Sequence, residues 1–157
     1  MNIEIEMNDG GVIKAELYPD VAPITVDNFV KLINENFFDG LIFHRVIEGF
    51  MIQGGGMDAV GNQKKANSIK GEFASNGVKN DLKHTRGVLS MARTMIPDSA
   101  SSQFFIMHMD APHLDGQYAA FGKVTEGMEV VDKIATCDTD FSDMPIVPQV
   151  IKTIKVA

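Results

Sequence analysis

The chain has one cysteine, Cys137, and no tryptophan. A lone thiol cannot close an intramolecular disulfide, so the covalent framework fits a reducing compartment. With no base beside it in the sequence, Cys137 reads as a small structural or surface thiol. Positive charge is in deficit: 14 Lys and Arg stand against 21 Asp and Glu, a formal charge of -7. That is the wrong sign for a nucleic-acid-binding surface, and the short basic run Lys64-Lys65 with Lys70 reads as a solvated loop face. No apolar run approaches the ~20 residues of a membrane helix. The opening Met1-Asn2-Ile3-Glu4-Ile5-Glu6-Met7 alternates apolar and acidic residues, unlike a basic and then apolar leader. The expectation is a cytoplasmic protein without a membrane or nucleic-acid partner.

Catalytic metal and cofactor signals are also missing. His44, His84, His108 and His113 lack close metal-ligand spacing, and Cys137 is remote from them, so no metal site is expected. Ser101-Ser102 has no nucleophile elbow around it. Gly54 to Ala59 satisfies a G-x-G-x-x-A pattern, but no helix signal follows and no βαβ unit surrounds it. Bare backbone beside a bound peptide is the better account of these glycines. No P-loop is present, and no cofactor is expected.

What is there suits one domain over residues 1–157, long enough to bury its own core. Ile3, Ile5 and Met7 alternate with Glu4, Glu6 and Asn8, a strand with one buried face. Asn8-Asp9-Gly10-Gly11 supplies a turn, and Ile13, Ala15 and Leu17 return the chain as a hairpin. Thr25 reads as an N-cap for a short amphipathic helix carrying Val26, Phe29, Val30 and Ile33. A β pattern runs from Leu41 to Met51, followed by a long irregular excursion from Gly54 to Arg86. Short strands return at 88–92, 103–107 and 118–124. Met128, Val131 and Ile134 mark a second brief helix, and a β-branched strand closes the chain at 148–156. Many short strands with two helices imply a mostly β fold, a barrel with a helix plugging each end.

The most informative stretch is Phe43-His44-Arg45-Val46-Ile47-Glu48-Gly49-Phe50-Met51-Ile52-Gln53-Gly54-Gly55. It sets a fixed guanidinium among apolar side chains, then an aromatic ring, a thioether and an amide. Arg45 can donate to a weak acceptor but cannot act as a base. Phe50 and Met51 offer an adaptable greasy surface to a small ring. Such a set suits a substrate that is gripped, twisted and polarised without a bond being broken. Taken singly, each residue has a plainer reading: Arg45 in a surface ion pair, Phe50, Met51, Phe105 and Leu114 as core, Gln53 and Gln103 as exposed amides. Alternation puts His44 and Arg45 on opposite strand faces and Gln103 and Phe105 on the same one.

This run resembles the signature of the cyclophilin family of peptidyl-prolyl cis-trans isomerases. Gly87-Val88-Leu89-Ser90-Met91-Ala92, then Ser101-Ser102-Gln103-Phe104-Phe105-Ile106, then Leu114-Asp115-Gly116 with Phe121-Gly122-Lys123-Val124, match the same family in the same order. The resemblance covers essentially the whole chain. It implies a closed eight-stranded antiparallel β-barrel capped by two α-helices, isomerisation of X–Pro bonds in peptides and folding proteins, and a folding-assistant, chaperone-like role. It implies Arg45 as catalytic residue with His44 adjacent in support. Phe50, Met51, Phe105 and Leu114 would then wall a proline pocket. Gln53, Gln103 and the backbone of Ala92 and Arg93 would hold the flanking chain, with His113 and Tyr118 at the rim. A non-catalytic proline-peptide module and a holdase chaperone are the rival functions. The first would not need Arg45, and the second would be expected to carry a large exposed apolar patch.

Four positions depart from the family pattern: His113 where many members carry tryptophan, Tyr118 where many carry histidine, and Arg93-Thr94 where a small or amide residue is common. Family members bind the cyclic peptide cyclosporin, and the loss of the rim tryptophan implies weak binding here.

Overall fold

The computed structural model describes residues 1–157. Eight strands form one antiparallel sheet: β1 (Asn2–Met7), β2 (Val12–Leu17), β3 (Arg45–Ile47), β4 (Met51–Gly54), β5 (Val88–Met91), β6 (Phe104–Met107), β7 (Ala120–Glu126) and β8 (Ile151–Val156). Their order across the sheet is β3-β4-β6-β5-β7-β2-β1-β8. Two helices, α1 (Pro23–Asn34) and α2 (Met128–Ala135), complete it. No helix is long and apolar enough to cross a membrane.

The strands fall where period-two alternation puts them. In the β1–β2 hairpin Ile3 pairs with Ala15 and Ile5 with Ile13, all at most 1% exposed. The sheet curls, and β3 and β8 at its two ends form no ladder with each other. They are linked through the segments that precede them, by an isolated bridge between Ile42 and Val150. Backbone bonds flank that bridge, from Phe43 N–H to Gln149 O at 3.0 Å and from Ile151 N–H to Leu41 O at 2.8 Å.

The α1 start differs from the sequence expectation. Pro23 occupies the first turn and Ala22 the cap position, and no side chain caps the helix. Thr25 lies inside the first turn and is fully buried. Its N–H and its hydroxyl both donate to Glu72 Oε1, at 2.6 and 2.7 Å. A carboxylate 47 residues away thus takes the free helix-start donor that a local cap would have served. Glu72 is itself 3% exposed, and nearby Asn80 bonds to the carbonyls of Glu72 and Ala120 at 2.9 Å each. These buried polar anchors hold the excursion of 55–86, which has no regular element beyond a three-residue 3-10 turn, Ala74–Asn76.

Apolar side chains separate into two clusters. The main one holds 31 buried residues, including Val26, Phe29, Leu32 and Ile33 of α1 and Val131 and Ile134 of α2. The second holds seven: Met51, Val88, Phe105, Met107, Ala111, Leu114 and Ala120. Alternation explains the division. In β6, Phe104 and Ile106 enter the main core while Phe105 and Met107 face the other way; β4 splits Ile52 from Met51 and β5 splits Leu89 from Val88. The middle of the sheet is therefore buried on both faces.

Phe29 is the hub of the main core. Its ring lies 5.0 Å from Phe38, 5.2 Å edge-on to Phe104 and 5.1 Å from Phe121. Phe29→Ala should cost about 3–5 kcal/mol of folding free energy, read as a lowered urea midpoint with little change in slope. A loss under about 1 kcal/mol, the range of an ordinary surface change, would remove Phe29 from that role.

Candidate active site

The second cluster is the floor of an open cavity. About 120 Å³ is enclosed by Arg45, Phe50, Met51, Gln53, Ala92, Arg93, Phe105, Leu114 and Tyr118. At ~30 Å³ per liquid water that is room for a few waters or one small ring. The ladders assemble it. Arg45 of β3 pairs with Gln53 of β4, and Gln53 pairs with Phe105 of β6, so the three share the outer face of the sheet. Leu114 enters from a 3-10 turn, Pro112–Leu114, and Phe50 from the turn between β3 and β4.

Arg45 is exposed and free. None of the eight ion pairs in the molecule includes it. It projects a cation at the cavity edge with its donors uncommitted to carboxylates, which excludes the surface ion-pair reading. His44 is brought beside the cavity in sequence but does not line it. Its Nδ1 is buried without a partner. Burial, helped by the neighbouring Arg45 charge, pushes the His44 pKa below its ordinary value.

One side of the cavity offers hydrogen-bonding groups. Gln53 Nε2 donates to Gln103 Oε1 at 3.0 Å. Gln103 lines an adjoining groove of about 490 Å³ that shares Gln53, Ala92 and Arg93 with the cavity. Ala92 N–H is already given to Gln103 O at 3.0 Å, whereas the Ala92 carbonyl and the Arg93 N–H bond to no backbone partner. The peptide group between Ala92 and Arg93 can therefore pair with an extended ligand chain. Gly56 is needed here for a local reason. A Cβ on it would lie 2.5 Å from Gln103 Nε2, so a side chain would evict the glutamine. Gly54 and Gly55 likewise approach the carbonyls of Ile42 and Ser102. The close approach that these glycines permit is to the chain's own groups.

Arg93 does more with its side chain than its position in the sequence suggests. The guanidinium carbon lies 4.6 Å from the ring centres of both Phe73 and Tyr118. Two of its nitrogens donate to Thr94 O at 2.9 Å and Gln117 O at 2.6 Å. Tyr118 is in turn edge-on to Phe105, 5.8 Å between centres at 83°. The sandwich fixes the tyrosine ring as a cavity wall. His113 is exposed at the rim; its ring centre is 5.8 Å from Phe50, and it borders a neighbouring groove with Phe73 and Met95 rather than the cavity itself.

Beneath Phe105 lies a support that sequence reasoning missed. His84 stacks on it at 6.0 Å and 21°, its Nε2 is 2.8 Å from Ser90 Oγ and its Nδ1 is 3.1 Å from Asp115 Oδ1. Burial lowers the His84 pKa, partly opposed by Asp115, so the imidazole is kept neutral near pH 7. The arrangement looks like a nucleophilic triad but is sealed from substrate, since His84 is 1% and Ser90 0% exposed. No alternation or motif signals it, because its members are brought together from three separate segments. Lys64, Lys65 and Lys70 are all exposed, as expected of a solvated face, and the Lys64 ammonium also donates to Phe37 O at 2.8 Å and lies 4.4 Å over the Phe37 ring.

The chain as a whole is similar to known proteins. Residues 2–156 match the family described as cyclophilin type peptidyl-prolyl cis-trans isomerase/CLD. A peptidyl-prolyl cis-trans isomerase of Acinetobacter baylyi is 51% identical over 145 residues, covering 88% of this chain and 74% of that one. Peptidyl-prolyl cis-trans isomerase B of Bacillus subtilis is 46% identical over 132 residues, covering 84% and 89%. The fold overlays a Cryptosporidium parvum cyclophilin type isomerase, crystallised in the presence of the dipeptide Ala-Pro. The TM-score is 0.85 and the identity 32%, over 100% of this chain and 99% of that one. The chain belongs to the cyclophilin family and is a peptidyl-prolyl cis-trans isomerase.

Proposed function

We propose that the cavity takes the ring of a proline in a peptide or folding protein, with Arg45 as the catalytic residue. The observation that carries this reading is a guanidinium free of carboxylate partners at the edge of a cavity floored by Met51, Phe105 and Leu114. Phe50 and Tyr118 hold the ring from the sides. Gln53, Gln103 and the peptide group between Ala92 and Arg93 hold the chain on one flank, and His113 meets it at the rim. His44 supports Arg45 without touching the substrate.

The reaction needs little more than this. Amide resonance sets a barrier of roughly 18–20 kcal/mol to rotation about X–Pro. At ~20 kcal/mol the bond turns about once in a hundred seconds, so a turnover of ~10 per second requires only ~4 kcal/mol. As the bond twists, the prolyl nitrogen pyramidalises and regains a lone pair, which a planar amide lacks. A donor aimed at that nitrogen stabilises the twisted state over both planar ones. A hydrogen bond from a charged donor contributes about 1.5–3 kcal/mol, and shape selection by the cavity supplies the remainder. No proton leaves the substrate, and no bond to the protein forms.

Residues 1–157 act as one domain in this reading, with the curled sheet working as a closed barrel across the Ile42–Val150 bridge. The acidic composition and single thiol favour a cytoplasmic setting, and folding chains are the natural clients of a chaperone-like isomerase.

Arg45→Ala should lower kcat on Ala-Pro test peptides by about 10- to 100-fold, the span of one charged hydrogen bond, with a smaller change in KM. Arg45→Lys should also be poor, because a flexible ammonium does not reproduce the planar fork. Near-native turnover in Arg45→Ala would sink the assignment.

Arg93→Ala removes the cation between Phe73 and Tyr118. With stacking of this kind contributing about 0.5–2 kcal/mol, KM should rise about 2- to 30-fold while kcat holds. An unchanged KM would mean that the Tyr118 wall needs no clamp.

Cyclosporin should inhibit only weakly, since a histidine at the rim offers less flat apolar area than an indole. His113→Trp should tighten inhibition about tenfold, the size of one recovered aromatic contact, at constant turnover. Tight inhibition of the unaltered protein would show that position 113 does not set affinity.

A further inference from the structure

The turn that delivers Phe50 to the cavity is held from outside the site by one imidazole. Glu48, Gly49 and Phe50 connect β3 to β4, and Gly49 has φ +80°, a left-handed conformation that suits glycine. Phe50 O accepts the backbone N–H of His108 at 2.9 Å and of Met109 at 3.4 Å. Gly49 N–H donates to His108 Nδ1 at 2.8 Å. His108 directly follows β6 and is 5% exposed.

An amide N–H aimed at Nδ1 needs a lone pair there, so the ring proton belongs on Nε2. Nε2 lies 3.2 Å from Asp132 Oδ1, on α2. Asp132 is held in turn by both Arg86 terminal nitrogens, at 2.8 and 2.7 Å, and Arg86 Nη1 also donates to His108 O at 2.9 Å. Arg86 keeps the Asp132 carboxyl below its ordinary pKa, so the carboxylate stays ionised and available to Nε2–H. A continuous chain of bonds thus runs from α2 through one ring to the turn beside Arg45. Its members take no part in the cavity lining.

We propose that His108 is a positioning residue of the isomerase: its neutral Nε2–H form, oriented by Asp132, accepts the Gly49 N–H and so fixes the turn from which Phe50 enters the proline cavity. The inference rests on the reading that Phe50 walls that cavity. A second proton on His108 would turn Nδ1 from acceptor to donor and set it against the Gly49 N–H. Asp132 on α2 and Arg86 before β5 are the charged groups bonded at His108; farther out, Asp110 after β6 accepts the Arg86 N–H at 2.8 Å, Glu48 precedes Gly49 in the turn, and His113 lies against Phe50. That second proton would leave the Asp132 contact intact and break the Gly49 one.

The test follows the Gly49 amide and the His108 ring nitrogens by NMR through an acid titration, with kcat and KM measured on an Ala-Pro test peptide across the same range. The Gly49 amide shift should track the His108 titration. KM should rise about five- to tenfold through it, the size of one lost hydrogen bond, with kcat nearly constant. His108→Asn places an oxygen where Nδ1 was, and should keep KM near its parent value and flat in acid. His108→Gln reaches toward Asp132 instead and strands the Gly49 N–H, so its KM should be raised at every pH. A Gly49 amide indifferent to the His108 titration, or equal KM values in the two variants, would overturn the proposal. Should His108→Gln fail to fold, the titration of the unaltered protein decides alone. Phe50→Ala separates the two levels: if it leaves KM unchanged, the cavity assignment fails. If it raises KM while the His108 variants agree with each other, only the positioning role fails.

Discussion

Because β4 and β6 pair in register, Met51 faces Met107 and Gln53 faces Phe105, and the candidate site is arranged around that ladder. A slip of one residue would turn Phe105 and Met107 into the main core and push Phe104 and Ile106 outward. The register is secured by burial on both faces at once. Phe104 and Ile106 are locked against the phenylalanine cluster within, while Phe105 and Met107 close the smaller cluster without. The site is the point at which that outer cluster stops being covered. Its floor is packed like a core and its rim is open.

The three arginines of the chain show how context decides what a guanidinium does. Arg86 is bidentate to Asp132 and ties a loop to a helix. Arg93 lies between two aromatic faces and shapes a wall. Arg45 has no carboxylate at all, although the chain carries 21 acidic residues. A paired guanidinium would have its best donors occupied and its charge compensated. In the proposed site, an unpaired Arg45 would keep its donors for the substrate.

Much of this was legible in the sequence, and the residues that were not have a common cause. The β1–β2 hairpin, both helices and the closing strand follow from periodicity that a few neighbouring residues carry. Nine of the twelve residues expected at the site line one cavity, while Gln103 and His113 border the adjoining grooves and His44 lies behind. What stayed hidden were partnerships between distant segments. Thr25 looks like a cap until Glu72 is found above it, and His84 looks idle until Ser90, Asp115 and Phe105 surround it. The Arg93 backbone was expected to matter, yet its side chain is fixed by Phe73, twenty positions earlier, and by Tyr118. Polar residues disclose their roles through partners, and a linear pattern records only near ones.

The pairing of β1 with β8 has a consequence for how the molecule comes to exist. Ile3 lies opposite Val156 and Ile5 opposite Ile154, so the first strand is flanked by the last. Bringing such ends together costs about 4 kcal/mol of chain entropy before any contact forms, and non-local topologies of this kind fold slowly. On a ribosome the hairpin of β1 and β2 can form early, but one edge of β1 stays unpaired until residues 151–156 emerge. This prolyl isomerase thus has a slow step of its own, set by topology, during which an open strand edge must be kept from pairing with a neighbour.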